Sequence, residues 1–216
     1  AVFFQLTQNL ATNAPPTSFI PVLFKLFENS ENTVCSVLAL QSLRVLSIND
    51  PRFCKKVLKR LDTILAKFQD NFIFEILQLF LTICQYATLE QARMIIDKIH
   101  EKHKDNSLAF GEASTKEQVF PVFAVLSKYG DIFPEFFVSE IKRLTNFPGK
   151  PPLNANVVWP CLVCIDNFLS QPDSAAYKFL KSDNQSSNLL GKLAHAAICV
   201  EKNNDPDLFM MILKVF

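Results

Sequence analysis

The sequence predicts an all-α fold, an α-solenoid of antiparallel helix pairs, on three observations. Glycine is rare, at 4 of 216 residues, where an average chain has about 7%. Apolar residues form 49% of the chain and recur at helical spacing, without sustained strand alternation. A phrase in which an apolar helical stretch ends at Asn-Asp-Pro, and a second stretch follows at once, occurs at 49–51 and again at 204–206.

The interval between the two phrases indicates a repeat length. Asn49 and Asn204 lie 155 positions apart (204 − 49). That interval divides into four steps of about 39 residues, close to the size of paired-helix repeats. We therefore expect helical hairpins stacked side by side in a single repeat domain over residues 1–216. Both ends break off within apolar helical patterns, so we expect a fragment of a longer protein, with further repeats or a partner subunit covering the ends.

The first elements have clear boundary signals. A helix is predicted from about Ser18 to Glu28, and a second runs to about Ile48. The second is apolar around most of its circumference, which predicts a central position with neighbours on several sides. A third helix is predicted to start at Asp50-Pro51, because Asp is a good N-cap and Pro fits the first helical position. It is predicted to continue to Phe68.

The remaining chain repeats the same alternation of strongly apolar and half-polar helices. The stretch 72–87 is apolar almost all round, whereas 89–104 is amphipathic. Longer loops are expected near 105–115 and 146–154. Further helices are predicted over 116–128, 132–145, 157–170, 173–181, 189–200 and 206–216. Short connections between such helices favour antiparallel neighbours.

The stretch from Val34 to Ala87 resembles armadillo and HEAT repeats. Its segment Leu40-Gln-Ser-Leu43-Arg-Val-Leu46-Ser-Ile-Asn49-Asp is similar to the last helix of an armadillo repeat, and the stretch from Leu189 to Asp205 is a degenerate copy. The chain lacks the Gly that usually separates the first two armadillo helices, so the resemblance is to the superfamily. It implies partner binding along a curved surface and supplies no catalytic residues.

The net charge and the cysteine positions indicate the cellular compartment in which the protein works. The net charge of +1 gives no global field toward nucleic acid or membrane. No apolar run is long enough to span a membrane, and the first residues lack the basic region of a secretory signal. Most of the six cysteines occupy apolar helical positions, which suits a reducing compartment. We expect an intracellular protein, cytoplasmic or nuclear.

One helix carries a charge anomaly. Between positions 51 and 70 there are six basic and two acidic residues, a local charge of +4. Five of the basic residues fall at spacings 0, 3, 4, 7 and 8, which places them on one stripe of a helix: Arg52, Lys55, Lys56, Lys59 and Arg60. The stripe could meet nucleic acid, an acidic lipid surface or an acidic peptide. The alternative is a solvated outer face.

Sequence motifs for catalysis, redox activity or metal binding are weak. Cys161-Leu-Val-Cys164 has redox spacing, but its apolar neighbours favour a structural core position over a redox or zinc site. His100 and His103 fit a solvated helix end, and His195 fits a buried core position. No phosphate loop or hydrolase motif is present. We expect no catalytic residues, no cofactor and no metal, hence no enzyme.

Together these observations predict a non-catalytic protein–protein interaction scaffold, a module of a larger protein or complex. An anion-binding module acting through the basic helix 51–68 is the alternative. An enzyme using a solvent-reachable Cys161 or Cys164 is the third hypothesis, and it requires a depressed thiol pKa.

Overall fold

A computed structural model describes the chain over 19–29, 32–69, 71–104, 113–132 and 155–182. Every regular element in these ranges is helical, so the all-α prediction is confirmed for them. The chain divides into two compact units, Ala1–Val122 and Phe123–Phe216. Outside the described residues lie the second Asn-Asp-Pro phrase, the helices predicted over 189–200 and 206–216, and nearly all of both predicted loops. Only the first residue of the helix predicted over 132–145 is described. The single repeat domain therefore stays a prediction.

The first unit is a succession of helices close to the predicted ones. They are α1 (Phe19–Asn29), α2 (Thr33–Asn49), α3 (Pro51–Leu58), α4 (Leu61–Ala66), α5 (Ile73–Ile83), a 3-10 turn (Cys84–Tyr86), α6 (Leu89–Lys104) and the start of α7 (Ala113–Leu126). Helix α2 packs against α1, α3 and α5, which confirms the neighbours predicted on several of its sides. Its residues Leu40, Leu43 and Leu46 are buried at this junction.

Side-chain caps set the helix starts. The Asn32 side chain accepts a hydrogen bond from the Val34 amide at 2.9 Å. The Asp50 carboxylate accepts one from the Arg52 amide at 2.9 Å, with Pro51 in the first helical position. These bonds satisfy amides that have no partner within the helix, and they confirm the predicted start at Asp50-Pro51.

Side chains from later helices cap the ends of earlier ones. The Lys67 ammonium donates to the Phe27 carbonyl and, at 2.9 Å, to the Glu28 carbonyl at the end of α1. The side-chain amide of Gln91 donates to the carbonyl of Leu58, which is the last residue of α3, at 3.1 Å. Because the last carbonyls of a helix lack partners within it, these bonds tie each helix end to a later helix of the unit.

The helix predicted from 51 to 68 is in fact two helices. Lys59 and Arg60 form a turn between α3 and α4, where the Arg60 amide bonds the Val57 carbonyl at 2.9 Å. Arg60 has φ −111° and ψ 26°, outside the helical region. Its guanidinium lies 3.6 Å from the Glu28 carboxylate and 5.9 Å from the centre of the Phe24 ring. These contacts with α1 accompany a bend that the local apolar spacing does not encode.

The described part of the second unit comprises the end of α7, a 3-10 turn (Gly130–Ile132), α8 (Ala155–Leu169) and α9 (Ala175–Ser182). Helix α8 begins two residues earlier than the predicted 157, so Pro160 lies inside the helix rather than near its start. Pro160 is buried. Proline lacks the amide hydrogen that would bond the carbonyl four residues earlier, so packing of the apolar helix outweighs this lost bond.

A polar cluster joins the helices of the second unit. The Gln171 side chain accepts from the Gly130 amide at 3.0 Å and donates to the Ser127 and Asn167 carbonyls at 3.2 and 2.9 Å. The Asn167 amide donates to the Ser127 hydroxyl at 2.6 Å. A Cβ atom at Gly130 would lie 2.9 Å from the Ser174 Cβ, so this close approach requires glycine.

Replacing Gln171 should destabilise the second unit. Gln171→Met keeps the side-chain length but leaves the Gly130 amide and the Ser127 carbonyl without these partners, which typically costs about 1–3 kcal/mol. The measurement is urea unfolding followed by the fluorescence of Trp159, the single tryptophan of the chain. Gln69→Met at an exposed site is the control. Equal midpoints for Gln171→Met and the parent protein would show that the cluster contributes nothing measurable.

Candidate interaction surface

The predicted basic stripe lies at the surface. Phe53, Cys54, Val57 and Leu58 form the buried side of α3, whereas its basic residues point to solvent. All five predicted residues are exposed: Arg52, Lys55 and Lys56 on α3, and Lys59 and Arg60 in the turn that follows. The turn breaks the regular helical spacing on which the predicted stripe depends.

Arg52 folds back onto the cap of its own helix. Its Nη2 lies 2.7 Å from Oδ2 of Asp50, and its Nε lies 2.9 Å from the same oxygen. The hydrogen bonds from Arg52 hold the pKa of Asp50 below its usual value, and the bond to Asp50 raises the pKa of Arg52. The Arg52 charge is therefore largely offset by a carboxylate two residues away.

Two other cations of the segment act on α1. Arg60 pairs with Glu28 at 3.6 Å, and Lys67 caps the α1 carbonyls while its ammonium lies 5.1 Å from the centre of the Phe27 ring. The remaining three lysines, Lys55, Lys56 and Lys59, form no ion pair with any residue that the structure describes. We call these three residues the lysine patch. The charge available to an anion is thus smaller than the sequence predicts.

A second surface runs along α2. Seven residues at helical spacing line it: Val34, Val37, Leu38, Gln41, Arg44, Val45 and Ile48. Val34 and Ile48 are 63% and 60% exposed, and the other five are half-buried. We call this set the α2 open face. Sequence reasoning missed it because a helix apolar all round gives no local signal of the side that stays uncovered.

Arg44 is the only charged residue of the α2 open face. Its Nε is shielded from solvent and has no hydrogen-bond acceptor among the residues that the structure describes. Arg44 also forms no ion pair within the described ranges. A shielded donor without an acceptor carries a desolvation penalty of about 1–3 kcal/mol. The α2 open face therefore combines aliphatic surface with one polar group that lacks a partner.

The cysteine pair belongs to the core. Cys161 and Cys164 are 3% and 0% exposed, which confirms the structural interpretation of their spacing. Burial raises the pKa of both thiols. A raised pKa suppresses the thiolate, which is the reactive form. Cys54 and Cys84 are buried as well, whereas Cys35 is exposed. These environments oppose the third hypothesis, a redox centre at 161–164.

The histidines and acidic residues that the structure describes do not form a metal site. Among the described residues, no three His, Cys, Asp or Glu side chains come together as a metal site would require. His100 is half-buried, and the His103 side chain and His195 lie outside the description. None of the helices in the described ranges has the length and apolar character needed to cross a membrane.

Comparison with known proteins returns no relative. No family model matches the sequence, and no curated protein matches it either. The resemblance to armadillo and HEAT repeats therefore stays a prediction from the residues that carry it.

Thiol labelling tests the assignment of the cysteines. At neutral pH a maleimide should modify Cys35 in the native protein. The buried thiols should react only after denaturation, because burial blocks access to all four: Cys54, Cys84, Cys161 and Cys164. Burial also raises the pKa of Cys54, Cys161 and Cys164, which suppresses the reactive thiolate. Mass spectrometry of peptides from native and denatured samples gives the site of each label. Rapid native labelling of Cys161 or Cys164 would contradict the core assignment and restore the redox hypothesis.

Proposed function

We propose that this chain is an armadillo/HEAT-like α-solenoid that serves as a non-catalytic protein–protein interaction scaffold in a larger protein or complex. The observation that carries the proposal is the sequence spacing of side-chain hydrogen bonds between distant residues. That spacing is nearly constant, and it is close to the repeat length that the sequence predicts.

Most of these bonds join residues about one predicted repeat apart. The separations are 40 for Lys67 and Phe27, 40 for Gln78 and Gln118, 40 for Ser127 and Asn167, 41 for Gly130 and Gln171, 44 for Asp131 and Ala175, and 33 for Leu58 and Gln91. In a repeat protein each repeat contacts its neighbours, so polar contacts recur at one repeat length. The same spacing within each of the two units supports one repeat architecture throughout.

The helix order of the first unit supports the same arrangement. Helices α2 and α5 pack together, α1 packs on α3, and α4 packs on α6. This pattern fits hairpins α1–α2 and α3/α4–α5, stacked so that α2 and α5 lie in one layer and α1 and α3 in the other. Stacked hairpins present elongated surfaces instead of an enclosed pocket, which favours recognition of macromolecules. Affinity on such surfaces comes from a few well-packed anchors.

Affinity purification tests the scaffold proposal. The full-length protein that contains this chain, tagged in cells and mildly cross-linked, should retain one or a few protein partners after nuclease treatment. Quantitative mass spectrometry against an untagged control identifies them. Deleting residues 19–182 should remove these partners if this chain binds them. Partners that persist in the deletion variant would show that another part of the protein is the scaffold.

The lysine patch supports a second candidate, an anion-binding module that meets nucleic acid or an acidic lipid or peptide. Lys55, Lys56 and Lys59 are exposed together on α3 and the following turn, and they lack ion-pair partners among the described residues. Lysine offers a flexible point charge rather than a fixed fork. Such a patch favours nonspecific attraction to phosphates over sequence readout.

Charge reversal tests the second candidate. Lys55→Glu, Lys56→Glu and Lys59→Glu together should abolish binding to a DNA duplex and to anionic vesicles, while Arg60 stays unchanged because it pairs with Glu28. For three phosphate contacts, the affinity of the parent protein for DNA should fall roughly fortyfold between about 50 and 200 mM salt. Fluorescence anisotropy and vesicle sedimentation measure both.

A matched variant controls for net charge. Arg93→Glu, Lys128→Glu and Lys178→Glu change the charge equally at exposed positions on other elements, and they should leave the affinity nearly unchanged. Equal loss of binding in both triple variants would point to net charge. Unaltered binding in the lysine-patch variant would remove the second candidate.

A further inference from the structure

We infer that the α2 open face is a docking site for an amphipathic helix that presents aliphatic side chains together with one acidic residue, which pairs with Arg44. The inference rests on the proposed scaffold function and names the chemistry of one partner. Two independent features of α2 carry it: the apolar composition of its uncovered side, and Arg44, a half-buried cation on that side that forms no ion pair within the described ranges.

The composition of the α2 open face differs from that of the outer faces of α3 and α6. Five of its seven residues are aliphatic. The outward side of α3 is instead basic, and that of α6 carries exposed Glu90, Arg93 and Asp97. Charged outer faces are the normal state of solvated helices. A contiguous uncovered aliphatic face, depleted in charge, is typical of an interaction site.

The dimensions of the face suit a helix. Val34 and Ile48 are 14 positions apart (48 − 34), and a rise of about 1.5 Å per residue gives roughly 21 Å, or four turns. Residues along the face recur every three or four positions, which forms the ridge that a second helix can straddle. A partner helix of similar length would contact it through anchors at i, i+3 or i+4, and i+7.

Arg44 specifies the charge of the partner. Arg44 is half-buried and forms no ion pair within the described ranges, so docking a neutral apolar helix over it would desolvate an unpaired cation. A carboxylate from the partner would pair with the guanidinium by charge-assisted hydrogen bonds, which are about twice as strong as neutral ones. The face thus selects an acidic residue among the aliphatic anchors.

Two other occupants fit the face less well. The seven residues include no carboxylate, so a symmetric dimer through this face would bring two copies of Arg44 together without a counter-charge. An anionic membrane is normally held by several basic residues beside the apolar ones, whereas this face has one. Charge complementarity therefore favours a helix that carries its own acid.

Selection from a display library of helical peptides, each about 16 residues long, tests the inference with the intact chain as bait. Enriched peptides should share aliphatic residues at helical spacing and one Asp or Glu. Their dissociation constants are then measured by fluorescence anisotropy. Arg44→Glu should weaken binding about tenfold or more, and exchanging the acidic residue of the peptide for Lys should recover most of that loss. Ile48→Asp should weaken binding about tenfold without such recovery.

The control is Val22→Asp, at a residue of α1 that is 45% exposed and is not part of the α2 open face. Affinity should stay within about twofold of the parent. Circular dichroism checks that each variant is folded, and Arg44→Gln replaces Arg44→Glu if the charge reversal unfolds the chain. No enrichment, enriched peptides without an acidic residue, or affinities indifferent to both α2 variants would overturn the inference. Self-association that Ile48→Asp abolishes would overturn the inference in favour of a second copy of the chain as occupant. Vesicle binding that Ile48→Asp abolishes would overturn it in favour of a membrane.

These outcomes are distinct from failure of the scaffold function. If the protein keeps its cellular partners when Arg44 and Ile48 are both replaced, the scaffold proposal stands and the α2 docking site falls. If no protein partner is captured at all, the scaffold proposal itself fails.

Discussion

Burial of α2 between α1, α3 and α5 is the interaction on which the first unit depends. Leu40 and Leu43 are fully buried there and Leu46 nearly so, and a fully buried leucine contributes about 1.5–3 kcal/mol. Three neighbours hold the helix axis, so the fourth side is displayed on a rigid support. A preorganised surface loses little conformational entropy when a partner binds. The same packing that stabilises the unit would therefore also preorganise the α2 open face for the proposed partner.

Polar contacts fix the axial alignment of the helices that pack in this apolar core. Apolar burial alone tolerates sliding of one helix along another, because it is non-directional. Lys67, Gln91 and Gln171 each donate to backbone carbonyls at or just after the end of an earlier helix, and a displacement of one turn would break such a bond. Each contact thus fixes the axial position of one helix against another. Buried polar groups that are satisfied in this way specify one arrangement among several of similar apolar burial.

The sequence predicts what is decided locally and misses what neighbours decide. The start of α3 at Asp50-Pro51 follows from cap chemistry within three residues, and it is predicted correctly. The break at Arg60 accompanies contacts with Glu28 and Phe24, more than thirty positions earlier, so no pattern within 51–68 indicates it. The five basic residues are exposed, as the predicted stripe requires, but their pairing is not predicted. The Arg52–Asp50 pair is local, whereas the Arg60–Glu28 pair depends on which helix packs alongside. Likewise, only packing determines which side of an all-round apolar helix stays open.

The two surfaces of the first unit act at different ranges. The lysine patch is solvated, so its attraction extends about one Debye length, roughly 8–10 Å at physiological salt, and weakens as salt rises. The α2 open face would act only at contact, where burial of its aliphatic residues and of the Arg44 charge would depend little on salt. Charges at a rim mainly alter association rates, while desolvated anchors mainly alter dissociation rates. A partner that engaged both surfaces would therefore show a salt-sensitive association rate and a dissociation rate that salt barely changes. A partner of the lysine patch alone would lose its affinity as the salt concentration rises, because no desolvated contact would hold the complex together.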